Sequence, residues 1–180
     1  KLTGAMSQPE YKLAKPRVSL GKKELVEQSD EKLGGWVAEI VRVESPVHRD
    51  EVYSRFLDAA KKRTGARNQE AFEKGLAQTI AAGAVRRDGD FLFDAAQESV
   101  TIRDRRRLSA NDRNFERVAD VELDAAIVLS VRQSYGMEAE DISIAASRLL
   151  GFDRTLEPMR LRVDNRVAAL LGAGQLLQRN

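Results

Sequence analysis

The part of this sequence that most restricts its fold is a helical pattern that leads directly into a hairpin pattern. Phe72, Leu76 and Ile80 recur every four residues, which is the spacing of one apolar face of an α-helix. Gly83 follows them, and glycine readily adopts the left-handed conformation that ends many helices. The spacing therefore predicts a helix that ends just before Gly83.

After Gly83 the pattern changes to two short strands. Asp88-Gly89-Asp90 separates residues 84–87 from residues 91–93. An Asp-Gly pair between such runs favours a tight hairpin turn, because glycine accepts positive φ at little cost. We expect Gly89 to have positive φ and either Phe91 or Phe93 to pack on the preceding helix. A helix followed at once by a small basic hairpin is typical of the second half of a winged helix.

Two more helices are predicted upstream. The second has the acidic pair Asp50-Glu51 in its first turn, where negative charge is favourable, and continues through Val52 and Phe56. The first is expected to begin near Lys22 and to end at Ser45-Pro46. Its apolar stripe consists of Leu25, Val26, Trp36, Val37, Ile40, Val41 and Val43.

Composition restricts the class of protein without identifying its function. The 180 residues are 42% hydrophobic and 32% charged, enough for one moderate core or two small ones. The 30 basic and 28 acidic residues leave a net charge of +2, which is too small to indicate nucleic-acid binding by itself. The chain has no cysteine, which excludes disulfides and thiolate metal sites and fits a cytoplasmic location. No apolar run approaches the roughly 18 residues of a membrane span, so no membrane association is expected.

Between residues 95 and 120 the sequence predicts an arginine-rich connector with one short strand. Residues 100–102, Val-Thr-Ile, have strand propensity and could add to the hairpin. Two interpretations of the arginines stay open, a solvated or salt-bridged linker and a strap that contacts phosphates. The arginines are Arg103, Arg105, Arg106, Arg107, Arg113 and Arg117.

The helical pattern then returns in a way that indicates internal duplication. Arg63-Thr64 matches Arg154-Thr155 and Ala82-Gly83 matches Ala173-Gly174, each 91 positions apart (154 − 63 and 174 − 83). We therefore predict a mainly α-helical α+β protein with tandem winged-helix-like repeats. Its expected parts are a linker or N-terminal extension at 1–24, a first unit at 25–94, the connector at 95–120, and a second unit with a truncated wing at 121–180.

The repeated Arg-Thr pair precedes the third helix of each predicted unit. Thr64 and Thr155 could cap these helices, with Arg63 and Arg154 in salt bridges. Alternatively, arginine and helix N-terminus together could clamp a phosphate group. The two interpretations are compatible.

Several segments resemble an uncharacterised domain found at the C-terminal end of large bacterial superfamily I helicase-like proteins. The resemblance covers about residues 25–180 and implies a setting in DNA metabolism or anti-phage defence, often beside a very-short-patch-repair-type nuclease domain. It implies no catalytic residue. The segments that carry it are residues 36–52, 62–65, 86–92, 100–105 and 149–155.

No enzymatic site is predicted. The single histidine, His48, has no cysteine nearby with which to bind zinc, and we interpret it as a capping or packing residue. Trp36 lies on an apolar stripe and is expected in the core. No phosphate-binding glycine loop is present. We therefore expect no catalytic residue, no metal and no cofactor in this chain.

Two function classes follow. In the first, the chain is a non-catalytic accessory domain that binds double-stranded or branched DNA. In the second, it is a protein interaction module that docks the helicase or nuclease domains of its parent protein. Glu70 and Glu73 on the third helix favour the second class, because they would face phosphates at a cost. The candidate DNA-binding residues are Arg63, Thr64, Arg67, Asn68, Lys74, Arg86, Arg87, Arg154 and Thr155.

Overall fold

The computed structural model describes residues 7–178, which form a mainly helical protein with a small antiparallel sheet. Six α-helices and three short strands lie within these residues, so the predicted α+β class is confirmed. The chain divides into two compact units. Within the described residues, the first unit is residues 12–98, and the second unit is residues 7–11 together with residues 99–178. Residues 1–6 of the predicted extension and residues 179–180 of the predicted second wing lie outside the described residues.

The first unit consists of three helices and three strands. In chain order these are α1 (Asp30–Glu44), β1 (Val47–His48), α2 (Arg49–Ala60), α3 (Ala66–Ala81), β2 (Val85–Asp88) and β3 (Phe91–Asp94). The first helix was predicted to begin near Lys22, and this is wrong. A single 3₁₀ turn, Leu25–Glu27, precedes Ser29, whose extended backbone and side-chain hydrogen bond to the Lys32 amide start α1.

The sheet is antiparallel and has the order β1-β3-β2. Val47 pairs with Leu92, so β1 occupies the edge of β3 that faces away from β2. The strand predicted at residues 100–102 is absent, and this segment has no regular secondary structure. Ile102 instead packs in the core of the second unit, where the next amide, that of Arg103, is held by a buried carboxylate.

The hairpin turn is confirmed, and Gly89 has a φ of 57°. The two residues between the paired ends of β2 and β3 are Gly89 and Asp90, and glycine in the first of these positions is typical of a type II′ turn. Phe93 is buried, as predicted for one of the two rings, but neither ring belongs to the apolar cluster in which Leu92 packs with residues of α3. Pairing with β1 directs Leu92 into the core, and the two rings therefore lie on the opposite face of the sheet.

Helices α1 and α3 cross in close contact at two glycines. A Cβ atom at Gly75 would lie 2.8 Å from the carbonyl carbon of Leu33, and one at Gly34 would overlap Gln78. Beside this crossing, Trp36, Phe56 and Phe72 are buried together, so the prediction that Trp36 is a core residue is confirmed. The aromatic core fixes α3 against α1 and leaves the other side of α3 exposed.

The second unit has three helices, α4 (Asp120–Gln133), α5 (Ala139–Leu149) and α6 (Glu157–Gly172). Both ends of α6 lie 91 positions after the ends of α3 (157 − 66 and 172 − 81). Gly83 and Gly174, which follow these helices, have φ angles of 78° and 70°. No strand is present among residues 173–178, so within the described residues this unit is purely helical after α4 begins.

A candidate nucleic-acid interface

The outer face of α3 is the surface on which the sequence placed most candidate contacts. The inner face buries Phe72, Gly75 and Leu76. Arg67 and Lys74 lie on the exposed side, and Arg63 lies in the exposed loop before the helix. The apolar stripe that packs α3 on α1 therefore directs these cations outwards.

Arg63 and Arg67 are two cations that the fold of the first unit does not hold in ion pairs. Neither guanidinium lies within 4 Å of a carboxylate among residues 7–178. Arg67 still acts at longer range on Glu24, whose pKa is lowered mainly by Lys62, 2.6 Å away, and to a smaller degree by Arg67. Both arginines are free to contact an anion without breaking an ion pair.

Lys74 and the two wing arginines have partners, but weak ones. Lys74 lies 3.1 Å from Glu70, one helical turn earlier, and both side chains are exposed, so this pair contributes at most about 1 kcal/mol. The Arg87 Nε donates to the Gly89 carbonyl at 2.7 Å, which holds Arg87 against its own turn. Arg86 lies over the Phe93 ring, 4.5 Å from its centroid.

The predicted threonine caps are wrong. The N-caps of α3 and α6 are Gly65 and Leu156, and neither helix has a side-chain cap hydrogen bond. Thr64 and Thr155 each lie one residue before the N-cap, where the hydroxyl is no longer at the capping position. The role of closing the loop falls instead to Asn68, whose Nδ2 donates to the Arg63 carbonyl at 2.7 Å.

Arg154 and Thr155 belong to the second unit, unlike the other seven candidates. Arg154 is exposed and lines a surface cleft of about 790 Å³ whose floor includes Phe152 and Met159. Thus seven candidates share one unit, while this pair lies beside a partly apolar cleft on the other.

The first two arginines of the arginine-rich connector are not available to contact phosphates. Arg103 and Arg105 are buried, and each places its Nη2 2.7 Å from the same carboxylate oxygen of Glu122, which is fully buried. Tyr11 lies under both guanidiniums, at 4.4 and 4.8 Å. Arg106 and Arg107 pair with acidic neighbours at the surface. The salt-bridged interpretation therefore holds for these four residues.

The cluster of Arg103, Arg105 and Glu122 stabilises the second unit electrostatically. Burial acts to raise the pKa of Glu122, but the charges and hydrogen bonds of Arg105 and Arg103 outweigh it and leave that pKa below its ordinary value of 4.5. Sequence reasoning missed this cluster because Glu122 has the ordinary position of an acidic residue in a helical first turn. The only hint in the sequence was the spacing of Arg103 and Arg105, which places both side chains on the same side of an extended segment.

A second buried cluster lies in the first unit. The carboxylate of Glu44 is fully buried and lies 3.3 Å from Arg55, which also pairs with Glu51 at 2.9 Å. The Ala14 amide donates to Glu44 at 3.0 Å. These charges connect α1, α2 and the preceding segment, so their role is structural.

Metal binding and membrane insertion find little support in the described part of the chain. Among residues 7–178, no group of three or more histidine or acidic side chains is arranged to hold a metal ion. Within the same residues, the helices are all too short or too polar to cross a bilayer. His48 accepts the Asp50 amide with its Nδ1 and caps α2, as the sequence predicted.

Comparison with known proteins gives a family match over part of the first unit. A family model described as "Protein of unknown function (DUF3320)" matches residues 23–70. The matched segment runs from before α1 into the first turns of α3 and does not reach the hairpin or the second unit. Neither the curated proteins nor the solved structures contain a match to this chain.

Proposed function

We propose that the first unit is a winged helix that binds double-stranded DNA through α3 and its hairpin. The observation that supports this proposal is that the strand and helix order of a winged helix occurs together with exposed cations on the third helix. The order α1-β1-α2-α3-β2-β3, with β1 paired to β3, is that of a winged helix. The outer face of its third helix carries cations that the fold leaves available.

The topology supports this proposal because it gives α3 the place of a recognition helix. In helix-turn-helix proteins the second helix of the motif enters the major groove while the first crosses the backbone. Here α2 and α3 would be that pair, separated by residues 61–65. The β2-β3 hairpin would be the wing, with Arg86 and Arg87 on its outer strand.

The exposed arginines of the first unit support contact with the DNA phosphates more directly than contact with the bases. Arg63 and Arg67 at the start of α3 are free of ion pairs within the described residues, and Arg86 and Arg87 are exposed on the wing. Such cations release counterions from DNA and give affinity that falls steeply with salt. We infer that the four guanidiniums position the duplex and that Lys74 is a further contact.

We further propose that the two units are diverged copies of one ancestral unit. The equal spacing of α3 and α6 and of the glycines that follow them supports duplication. Superposing the Cα atoms of residues 36–85 on 125–176 tests it. Failure beyond one helix pair would contradict it.

The wider context we propose is that of a non-catalytic accessory domain in a helicase- or nuclease-type protein. This rests on the resemblance of the sequence segments described above. In that setting the partners would be duplex or branched DNA and the helicase or nuclease domains of the parent protein.

A second candidate function, protein docking, is favoured by the outer face of α6. Leu161 is 61% exposed on this face and Leu171 is 36% exposed. Leu156, at the start of the helix, is also 61% exposed. Exposed apolar side chains along one helix are a feature of many interaction surfaces. Under this alternative the second unit would bind protein whether or not the first unit binds DNA.

A salt-dependent titration of the whole chain with fluorescently labelled duplex DNA tests the proposal. We expect binding at low salt and a logarithmic slope of about −0.9 for each phosphate contact that is neutralised. Absence of binding to any duplex at low salt, where electrostatic association is strongest, would contradict the proposal for this chain.

A further inference from the structure

Two acidic residues on α3, Glu70 and Glu73, are not expected on a surface that contacts only phosphates. They differ in whether the fold uses their carboxylates. Glu73 is used by the fold, because it accepts hydrogen bonds from Arg49 on α2 and from Gln69 at 3.1 Å. Glu70 has no such role. It pairs with Lys74 on the same exposed face, so nothing in the packing of the unit requires a carboxylate at position 70.

Glu70 also occupies a central position between two cations. At 3.6 residues per turn, Arg67, Glu70 and Lys74 fall within an arc of about 60° on the helix. They extend over about 10 Å along its axis, which corresponds to about three base pairs at 3.4 Å each. Side chains with this spacing face successive base pairs when a helix lies in the major groove.

Besides Arg67, Glu73 and Lys74, the exposed residues on the side of α3 that carries Glu70 are small. Ala66, Ala77 and Ala81 are exposed on the same side of α3, and none of them would hold the helix away from the floor of a groove. The alanines therefore let this side of α3 approach base edges closely, and the Glu70 carboxylate is the hydrogen-bond acceptor at its centre.

A carboxylate that is near DNA must face a donor and not a phosphate. In the major groove, the cytosine N4 amino group is the donor that Glu and Asp characteristically accept from. Lys74, 3.1 Å from Glu70, would place a donor beside this acceptor, and the guanine of the same pair offers O6 and N7 as acceptors. The ion pair therefore has the donor and acceptor arrangement that complements a C·G pair.

We propose that Glu70 is a specificity residue that reads a cytosine beneath the centre of α3, so that the DNA bound by the first unit is preferred by sequence and not only by charge. This rests on the proposed function, since it assumes that α3 contacts duplex DNA. Lys74 then donates to the guanine of the same pair and Arg67 holds a flanking phosphate or guanine. Glu70 lowers the affinity for every site that lacks cytosine at that position.

The test is selection of bound duplexes from a randomised pool by the whole chain, followed by sequencing. Wild type should enrich one C·G pair, with binding about ten-fold tighter than to the best other pair. Glu70→Gln should shift the preference from cytosine to adenine, which glutamine reads through N6 and N7. Glu70→Ala should abolish the preference and leave total binding equal or tighter.

The matched control is Glu73→Gln, which changes the same charge on the same helix and should keep the wild-type preference. Circular dichroism checks that each variant is folded. Binding without any base preference in wild type, or an equal gain in affinity for all sequences with unchanged preference in both Glu70 variants, would overturn the inference and leave the proposed function intact. No binding to any member of the pool would instead overturn the proposed function itself.

Discussion

Helices α3 and α6 have the same length and the same place in their units, yet the centres of their exposed faces carry different side chains. At the positions of Glu70 and Lys74 on α3, α6 carries Leu161 and Asn165, 91 residues later. At these two positions α3 exposes a charged pair, whereas α6 exposes an apolar and an amide side chain, with Arg160 and Asp164 exposed beside them. Equal backbone architecture therefore gives no guarantee of equal function, because function depends on the side chains grafted on the fold.

The inner faces of the two helices differ as well. Gly75 lets α3 touch the backbone of α1, whereas the corresponding position of α6 is Arg166, which pairs with Asp124 on α4 at 2.6 Å. The pKa of Arg166 is raised, mainly by its hydrogen bond to Asp124. At this position, therefore, the first unit has a close contact between helix backbones and the second unit has an ion pair.

The largest expected effect is on the second unit alone. Replacing Glu122 with glutamine removes the buried carboxylate that Arg103 and Arg105 share, and breaking such a buried cluster costs about 3–5 kcal/mol. We expect this loss in the unfolding free energy of the second unit, measured by denaturant titration with hydrogen exchange to assign each unit. An equal loss in both units would contradict the separation of the two cores.

The pH dependence provides the control. The folded-state pKa of Glu122 is lowered, so its stabilisation is present above the unfolded value near 4.5 and is lost as pH falls through the folded value. Wild type should therefore lose stability in the second unit in this acid range. The Glu122→Gln variant should lack this part of the pH dependence, while Arg106→Ala, which removes an exposed pair, should retain it.

A smaller effect is expected at the close helix crossing of the first unit. Gly75→Ala places a methyl group against the Leu33 backbone, and such overpacking costs about 1–3 kcal/mol. Thermal unfolding should show the loss in the first unit. Gly35→Ala is the matched control, because a Cβ atom there meets nothing within 4 Å, and alanine is the better helix former. Equal destabilisation by both changes would show that the crossing is not close packed.

The smallest effect concerns the predicted clamp of the second unit. If Arg154 contacts a phosphate, Arg154→Ala should reduce the salt slope of DNA binding by about one. If the cleft beside Arg154 binds protein instead, the slope should not change. Thr155→Ala should have no effect on helix stability in either case, because Thr155 does not cap α6.

Local patterns in the sequence predicted local structure well. The stripe of Phe72, Leu76 and Ile80 predicted α3, and Asp88-Gly89 predicted the hairpin, because each depends on residues close in the chain. The predictions failed where contacts between residues far apart in the chain determine the structure. The pairing of Val47 with Leu92 fixed both the third strand and the direction of Phe93, and Glu122 withdrew two arginines from the surface. Neither contact leaves a periodic signal in the sequence.

The candidate site was predictable in its location and less so in its detail. Exposure of Arg67 and Arg86 follows from the helical and hairpin periods, and exposure of Arg63 from its place in the loop before α3. The distinction between Glu70 and Glu73 does not, because it depends on Arg49 of α2 reaching one carboxylate and not the other. The threonine caps failed because the helices begin one residue later than a cap at Thr64 or Thr155 requires.

The most direct test of the central claim, that the first unit binds DNA through α3, is the salt slope of duplex binding for a double variant. Arg63→Ala with Arg67→Ala removes the two unpaired cations at the start of α3 and should reduce the slope by about two for every DNA sequence. Arg160→Ala, which removes an exposed cation from α6, should leave the slope unchanged. An unchanged slope in the double variant, or an equal decrease per residue in the Arg160 variant, would contradict the claim.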